Sequence, residues 1–166
     1  VAKIDLRGKL RQSDIVLGGT AIGRPYTSGS FSVGGKGRLA YTLGRDDRPA
    51  DVALMRPGKT PLKLTDLNGD LMGQRQMTRA ERITWPSSHD AMMIEGWVMK
   101  PPGFDPAKSY PMILEIHGGP HSAYGPNYST EAQLFAAAGY VVLYTNPRGS
   151  TSYGEQFANE IDLAYP

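Results

Sequence analysis

The sequence predicts an α/β fold in its second half, preceded by an antiparallel β half, and three observations carry that prediction. From Val1 to about Asn68, apolar and polar residues alternate in short runs set between turn-formers. Two near-continuous apolar runs, "PMILEI" and "YVVLYT", flank a stretch with helix-capping signals. Glycine and proline number 20 and 13 among 166 residues, which suits a chain with many turns.

The elements follow in order. "VAKIDL", "SFSV", "RLAYTL", "DVALM" and "PLKLT" alternate at period two and are divided by "RGK", "GGKG", "GRDDRP" and "RPGK", so they read as antiparallel strands joined by tight turns. "IDLRGKL" and "ALMRPGKTPL" look alike, with Gly8 and Gly58 offset by 50 residues; that period suits a propeller blade, and two unrelated hairpins with Gly-Lys turns would look the same. Residues 68–82 are polar and read as a connector, which places a boundary there. "RITW" and "AMMIEGWVMKPP" flank the turn-like "PSSHD" and predict a hairpin. "PMILEI" then reads as a strand covered on both faces. Thr130 with Gln133 makes a capping-box pattern and Gly139 sits at a C-terminal cap, so a helix is expected over 130–138, burying Leu134, Phe135 and Ala138. "YVVLYT" is a second buried strand. Ser152 with Glu155 opens a further amphipathic stretch in which Phe157 and Ile161 share a face. Strand, helix, strand and helix in succession predict a parallel sheet with right-handed crossovers.

Composition excludes several classes of function. The formal net charge of +2 is spread along the chain without basic clusters or interleaved aromatics, which argues against nucleic acid as a partner. No apolar run approaches the roughly 20 residues needed to span a bilayer, so no membrane partner is expected. The absence of cysteine leaves no disulfide framework or thiolate metal site, and fits the cytoplasm and the periplasm alike. The chain opens on Val1 rather than methionine and stops at "DLAYP" directly after an amphipathic segment, so it reads as a piece of a longer polypeptide. Nothing in it fixes an oligomeric state, and a homo-oligomer is compatible with all of this.

The chemistry concentrates in "LEIHGGPHSAYG", Leu114 to Gly125. Consecutive glycines at the end of a strand strip away side chains, so that backbone N–H groups can face a cleft and meet an oxygen that gains charge during acyl transfer. A tight turn that merely needs positive φ is the plainer reading of the same residues. His117 and His121 are four apart, but "GGP" between them forbids a helix, and no acidic residue occupies the position a zinc motif requires. No metal or cofactor is expected. "GKGRLA" formally fits a dinucleotide fingerprint, yet it leads into a strand pattern where that fingerprint needs a helix. A nucleophile elbow needs G-x-S-x-G, and "STSYG" has serine at its first position, with Ser152 already read as a helix cap. The chain thus offers a candidate oxyanion donor without an attacking group.

"LEIHGGPHSAYG" followed by "GYVVLYTNPRGSTSYGEQF" resembles the start of the catalytic domain in the prolyl oligopeptidase family of serine peptidases, closest to the acylaminoacyl-peptidase and dipeptidyl-peptidase branch. The resemblance implies the end of a β-propeller over residues 1–72 and the start of an α/β-hydrolase domain over 73–166. It implies a peptidase acting on short peptides, with Gly119 N–H as an oxyanion donor and His117 beside it in a position that holds tyrosine in relatives. Gly118, Asn146, Arg148 and Gly149 fall in the two loops, with Arg148 expected to brace its loop. Two departures bear on loop shape: Ser152 stands for the glycine usual in "RGSTGYG", and Ala91 follows Asp90 where relatives commonly have Asp-Gly. In the family's order the nucleophile, acid and base all come later than Pro166, so neither His89 nor His121 is expected to act as the base, and this segment alone is expected to be inactive. A non-catalytic scaffold that pairs through its sheet edges is the alternative.

Overall fold

The computed structural model describes residues 1–13, 15–119 and 121–164. Pro120, the last residue of the HGGP stretch, lies outside the described residues. The chain forms β1 (Ala2–Ile4), β2 (Leu10–Gln12), β3 (Phe31–Gly34), β4 (Arg38–Arg45), β5 (Arg48–Met55) and β6 (Leu62–Lys63). There follow α1 (Gly69–Met72), β7 (Ala80–Pro86), β8 (Met93–Met99), β9 (Met112–Ile116), α2 (Thr130–Ala137), β10 (Val141–Asn146) and α3 (Glu155–Asn159).

β1 and β2 pair as a hairpin around the expected Arg-Gly-Lys turn, and β3-β4-β5-β6 form an antiparallel meander in sequence order. Alternation works as expected in this half. Leu39, Tyr41 and Ala53 point to one side and, with Ile15, make its core. The short strand β2 and the single helical turn α1 inside the polar connector carry no period of their own and were not expected.

The second four-stranded sheet has the order β7-β8-β10-β9. β7 and β8 form the expected hairpin, and β8 also pairs antiparallel with β10. β9 and β10 are parallel, joined through α2, so the crossover is as expected within a sheet that is mixed. One expectation fails. "PMILEI" is not covered on both faces among the described residues: nothing packs closely over the face that bears Met112, Leu114 and Ile116, and β9 is also the edge strand of this sheet. Met112, Leu114 and Ile116 are 60, 49 and 57% exposed.

α2 covers the opposite face. Its contact residues are the small Ala132 and Ala136, buried on Met99 and Val142, with Phe135 partly buried beside them. Leu134 and Ala138 are exposed, against expectation, since a helix this close to a sheet has room only for alanine at the contact. Gln133 is buried instead: its Nε2 donates to Asp46 O at 3.1 Å and Thr78 O at 2.8 Å, and its Oε1 accepts from Thr78 N. The N-cap is Ser129, one residue earlier than predicted, with Oγ accepting from Ala132 N at 3.1 Å. The helix ends as predicted at Gly139, where Gly139 N–H reaches Ala136 O and Tyr140 N–H reaches Phe135 O.

Residues 15–29 run between the two sheets without joining either as a strand. Asn127 clamps them, accepting from Gly19 N at 3.1 Å and donating to Tyr26 O at 2.9 Å. Thr27 N–H to Ala123 O, Gly125 N–H to Pro25 O and Ser129 Oγ–H to Gly23 O continue the seam.

Candidate active-site loop

Parallel pairing sets the site. Thr145 lies opposite Ile116, so β9 and β10 end side by side, and His117, just past β9, and Asn146, the last residue of β10, emerge at the same carboxyl edge of the sheet. Both are buried, His117 at 5% and Asn146 at 0% exposure. Gly118 and Gly119 turn outward and are exposed. Among the described residues, neither glycine amide donates to a protein acceptor. Gly119 has φ +140°, and a Cβ there would press on Ser122 Cβ at 3.3 Å, so the loop path requires glycine.

Asn146 ties four segments together. Its Oδ1 accepts from Tyr124 N at 2.7 Å and lies 3.1 Å from His117 Nε2. Its Nδ2 donates to Tyr124 O at 2.9 Å and to Tyr153 Oη at 2.7 Å. The reciprocal pair with the Tyr124 backbone fixes which way the amide faces, since a flip would oppose donor to donor and acceptor to acceptor. Tyr153 passes the connection on, donating to Glu95, which also binds Arg82. Burial, and then the bond to Glu95, push the Tyr153 hydroxyl up to about 12, so it keeps its proton at neutral pH.

An aromatic pile supports this loop from the sheet side. Trp97 stacks on Tyr144 at 5.5 Å, Tyr144 meets Tyr124 edge-on at 5.9 Å, and Tyr124 meets His117 edge-on at 4.9 Å. Burial raises the Tyr144 hydroxyl well above its ordinary range and takes that of Tyr124 to about 12. A hollow of about 250 Å³ opens beside the pile, with Glu95, Trp97, Tyr124 and Tyr153 in its wall; the two glycines are not part of it.

The loop after β10 is braced as expected. Arg148 Nη1 donates to Asp90 Oδ2 at 2.8 Å and lies 3.5 Å from Glu160. Burial alone would raise the Asp90 carboxyl, but the Met92 N–H together with the Arg148 and Ser87 bonds outweighs it and holds the group below the usual carboxylate range. Gly149 N–H donates to Phe157 O at 2.9 Å. Phe157 is buried, as its spacing predicted, whereas Ile161 lies just beyond the end of α3. His89 and His121 are exposed.

Ser152 is not a helix cap. The N-cap of α3 is Gly154, which makes no side-chain capping bond, and Ser152 sits at φ +80°. Ala91 likewise sits at φ +61°. Both departures from the resembled pattern therefore keep a left-handed backbone with a Cβ on it, at a steric cost of about 1 kcal/mol each. Ser152→Gly and Ala91→Gly are each expected to stabilise the fold by no more than about 0.5 kcal/mol, because the extra freedom of the unfolded glycine offsets much of the steric relief. Thermal unfolding of the single variants checks this, and a lowered midpoint for both would contradict it.

Sequence reasoning reached His117, the glycines, Asn146, Arg148 and Gly149, and the structure brings His117, Gly118 and Asn146 into direct contact. It missed Glu95, Tyr124, Ser150 and Tyr153. The signal available for them was a polar or aromatic residue inside otherwise apolar or turn-forming stretches, which does not specify a partner.

Residues 126–166 match the model of the prolyl oligopeptidase family. The chain is 38% identical over 117 residues to the uncharacterized peptidase YuxL of Bacillus subtilis, covering 70% of this chain and 18% of that protein. It is 40% identical over 88 residues to dipeptidyl-peptidase 5 of Schizosaccharomyces pombe, covering 52% and 13%. Among solved structures, Pyrococcus horikoshii acylaminoacyl peptidase superposes with a TM-score of 0.70 at 32% identity, over 80% of this chain and 20% of that one. The chain thus spans a fifth or less of these relatives. Its motifs, its family-model match and its similarity to these peptidases place it in the prolyl oligopeptidase family.

Proposed function

We propose that the chain is part of a serine peptidase that cleaves short peptides by acyl transfer, in the manner of acylaminoacyl- or dipeptidyl-peptidases. The observation that carries this reading is the pair of exposed glycines at the carboxyl end of β9, whose amides donate to no acceptor among the described residues, held from below by buried side chains. Gly119 N–H is the oxyanion donor in this reading; one such donor contributes about 3 kcal/mol of transition-state stabilisation. Arg148, Gly149 and Asn146 shape the loops around it and do not touch substrate. Residues 1–72 would be the end of a β-propeller, which the four-stranded meander β3–β6 supports, and residues 73–166 the start of an α/β-hydrolase domain, which the β9-α2-β10 crossover supports. No G-x-S-x-G occurs in the 166 residues, so the nucleophile, acid and base would be supplied by other parts of the parent chain.

A second reading has one observation in its favour. The exposed edge strand β9, with Met112, Leu114 and Ile116 on one face, suits a scaffold that pairs with another chain. A fluorophosphonate probe separates the two. The full-length parent should be labelled and the 166-residue chain should not. A folded parent that resists the probe, and turns over no acylated or dipeptidyl substrate, would favour the scaffold.

A further inference from the structure

The backbone of the glycine loop is oriented by a side chain, and that side chain is itself held from three directions. His117 Nδ1 lies 3.1 Å from Gly118 O. The Gly118 carbonyl and the Gly119 N–H belong to the same planar peptide and point in opposite directions. Fixing the carbonyl toward the buried ring therefore aims the Gly119 N–H away from it, toward solvent, where both glycines are exposed. The opposite edge of the ring is gripped as well: Nε2 lies 3.1 Å from Asn146 Oδ1, fixed as an acceptor by the Tyr124 pair, and 3.0 Å from Ser150 Oγ, which gives its hydrogen to Pro147 O and so accepts too. A ring that also donates from Nδ1 to Gly118 O carries hydrogen on both nitrogens. Ser150 is 1% exposed and its Oγ also lies 2.6 Å from Pro147 O. Tyr26 and Tyr124 pack against the ring at 6.2 and 4.9 Å between centroids.

We propose that His117 is a positioning residue for the oxyanion donor: its ring fixes the plane of the Gly118–Gly119 peptide, and Asn146 and Ser150 fix the ring. The inference rests on the reading of Gly119 as that donor. It assigns no proton transfer to His117. The physical consequence is a loss confined to the transition state, because a ground-state carbonyl demands less of the donor's direction than the tetrahedral oxygen does.

The test uses the full-length parent carrying His117→Phe, Asn146→Ala or both. Phenylalanine keeps a flat ring between Tyr26 and Tyr124 while removing both nitrogens, so it guards against a variant that merely fails to fold. Each single variant should lower kcat by about tenfold to a hundredfold with KM changed by less than about threefold. The affinity for a peptide boronate, whose tetrahedral oxygen enters the donor site, should fall in step with kcat. The double variant should be no worse than the poorer single one, since both act through the same peptide plane. Losses in KM alone, losses that track only the folded fraction, or multiplicative losses in the double variant would overturn the positioning role while leaving the peptidase reading intact. A wild-type parent that is folded yet binds neither fluorophosphonate nor boronate would overturn both.

Discussion

Replacing Trp97 by alanine should destabilise the protein by about 4 kcal/mol and loosen the glycine loop at the same time. Trp97 is 4% exposed in the middle of β8, and its ring stacks on Tyr144, which is fully buried. Truncation removes the transfer energy of a large ring and leaves a cavity that a four-stranded sheet cannot close by relaxing, because β8 is paired on both sides. The stack itself adds about 1 kcal/mol beyond area burial. The second consequence follows from contact order in the pile. Tyr144 supports Tyr124, and Tyr124 supports both the His117 ring and, through its backbone, the Asn146 amide. Urea unfolding followed by far-ultraviolet circular dichroism gives the stability, and the boronate affinity of the full-length parent gives the loop. Trp97→Phe retains an aromatic partner for Tyr144 and should lose less than half as much on both measures. A stability loss for Trp97→Ala below about 1 kcal/mol would mean that the pile is not a supporting element.

What could be read from the sequence, and what could not, divides along the range of the interactions. The β7–β8 hairpin, the two parallel strands and α2 were legible because alternation, apolar runs and capping residues are local signals. The Ser129 cap shows the usual limit of such signals: two adjacent hydroxyl residues precede the helix, and only the geometry selects between them. The edge position of β9 was not legible. "PMILEI" has the composition of a central strand, and what puts it at the edge is the insertion of β10 beside β8, a choice made by strand order rather than by the strand. The buried face of α2 escaped for a related reason, since Leu134 is the more apolar residue but Ala132 and Ala136 are the ones small enough for the close approach to Met99 and Val142. In the site, His117 and Asn146 were visible through their motifs. Their contact was not, because 29 residues separate them and no period connects a histidine after one strand to an asparagine at the end of another. Glu95 and Tyr153, 58 residues apart, were hidden in the same way. Ser152 and Ala91 were visible as departures, and the structure adds that the backbone there still takes the left-handed form that glycine would favour.

Gly149→Ala should cost about 3 kcal/mol, from two separable sources. The residue sits at φ +91°, where any L side chain brings its Cβ against the backbone at a cost of about 1–2 kcal/mol. A Cβ at this position would also stand 2.9 Å from Ile161 Cβ and 3.3 Å from Ile161 Cγ2, and such overpacking costs about 1–3 kcal/mol. Ile161 cannot step aside freely, because α3 is tied to the loop by Gly149 N–H to Phe157 O and its C-cap by Arg148 to Glu160. The two sources are told apart by a second substitution. Ile161→Gly removes the obstructing Cβ together with its branches but leaves the conformation at position 149 untouched. The double variant Gly149→Ala with Ile161→Gly should therefore recover about 1 kcal/mol relative to the sum of the single variants, and no more, the remainder being the conformational cost. Full additivity would show that Ile161 moves away without penalty and that only the backbone demands glycine. The loop from Pro147 to Tyr153 carries Ser150 and Tyr153, so a displaced Gly149 should also weaken the grip on Asn146 and His117. Boronate affinity of the full-length parent should accordingly fall with Gly149→Ala and return in part with the double variant, which couples the shape of the loop after β10 to the aim of the amide after β9.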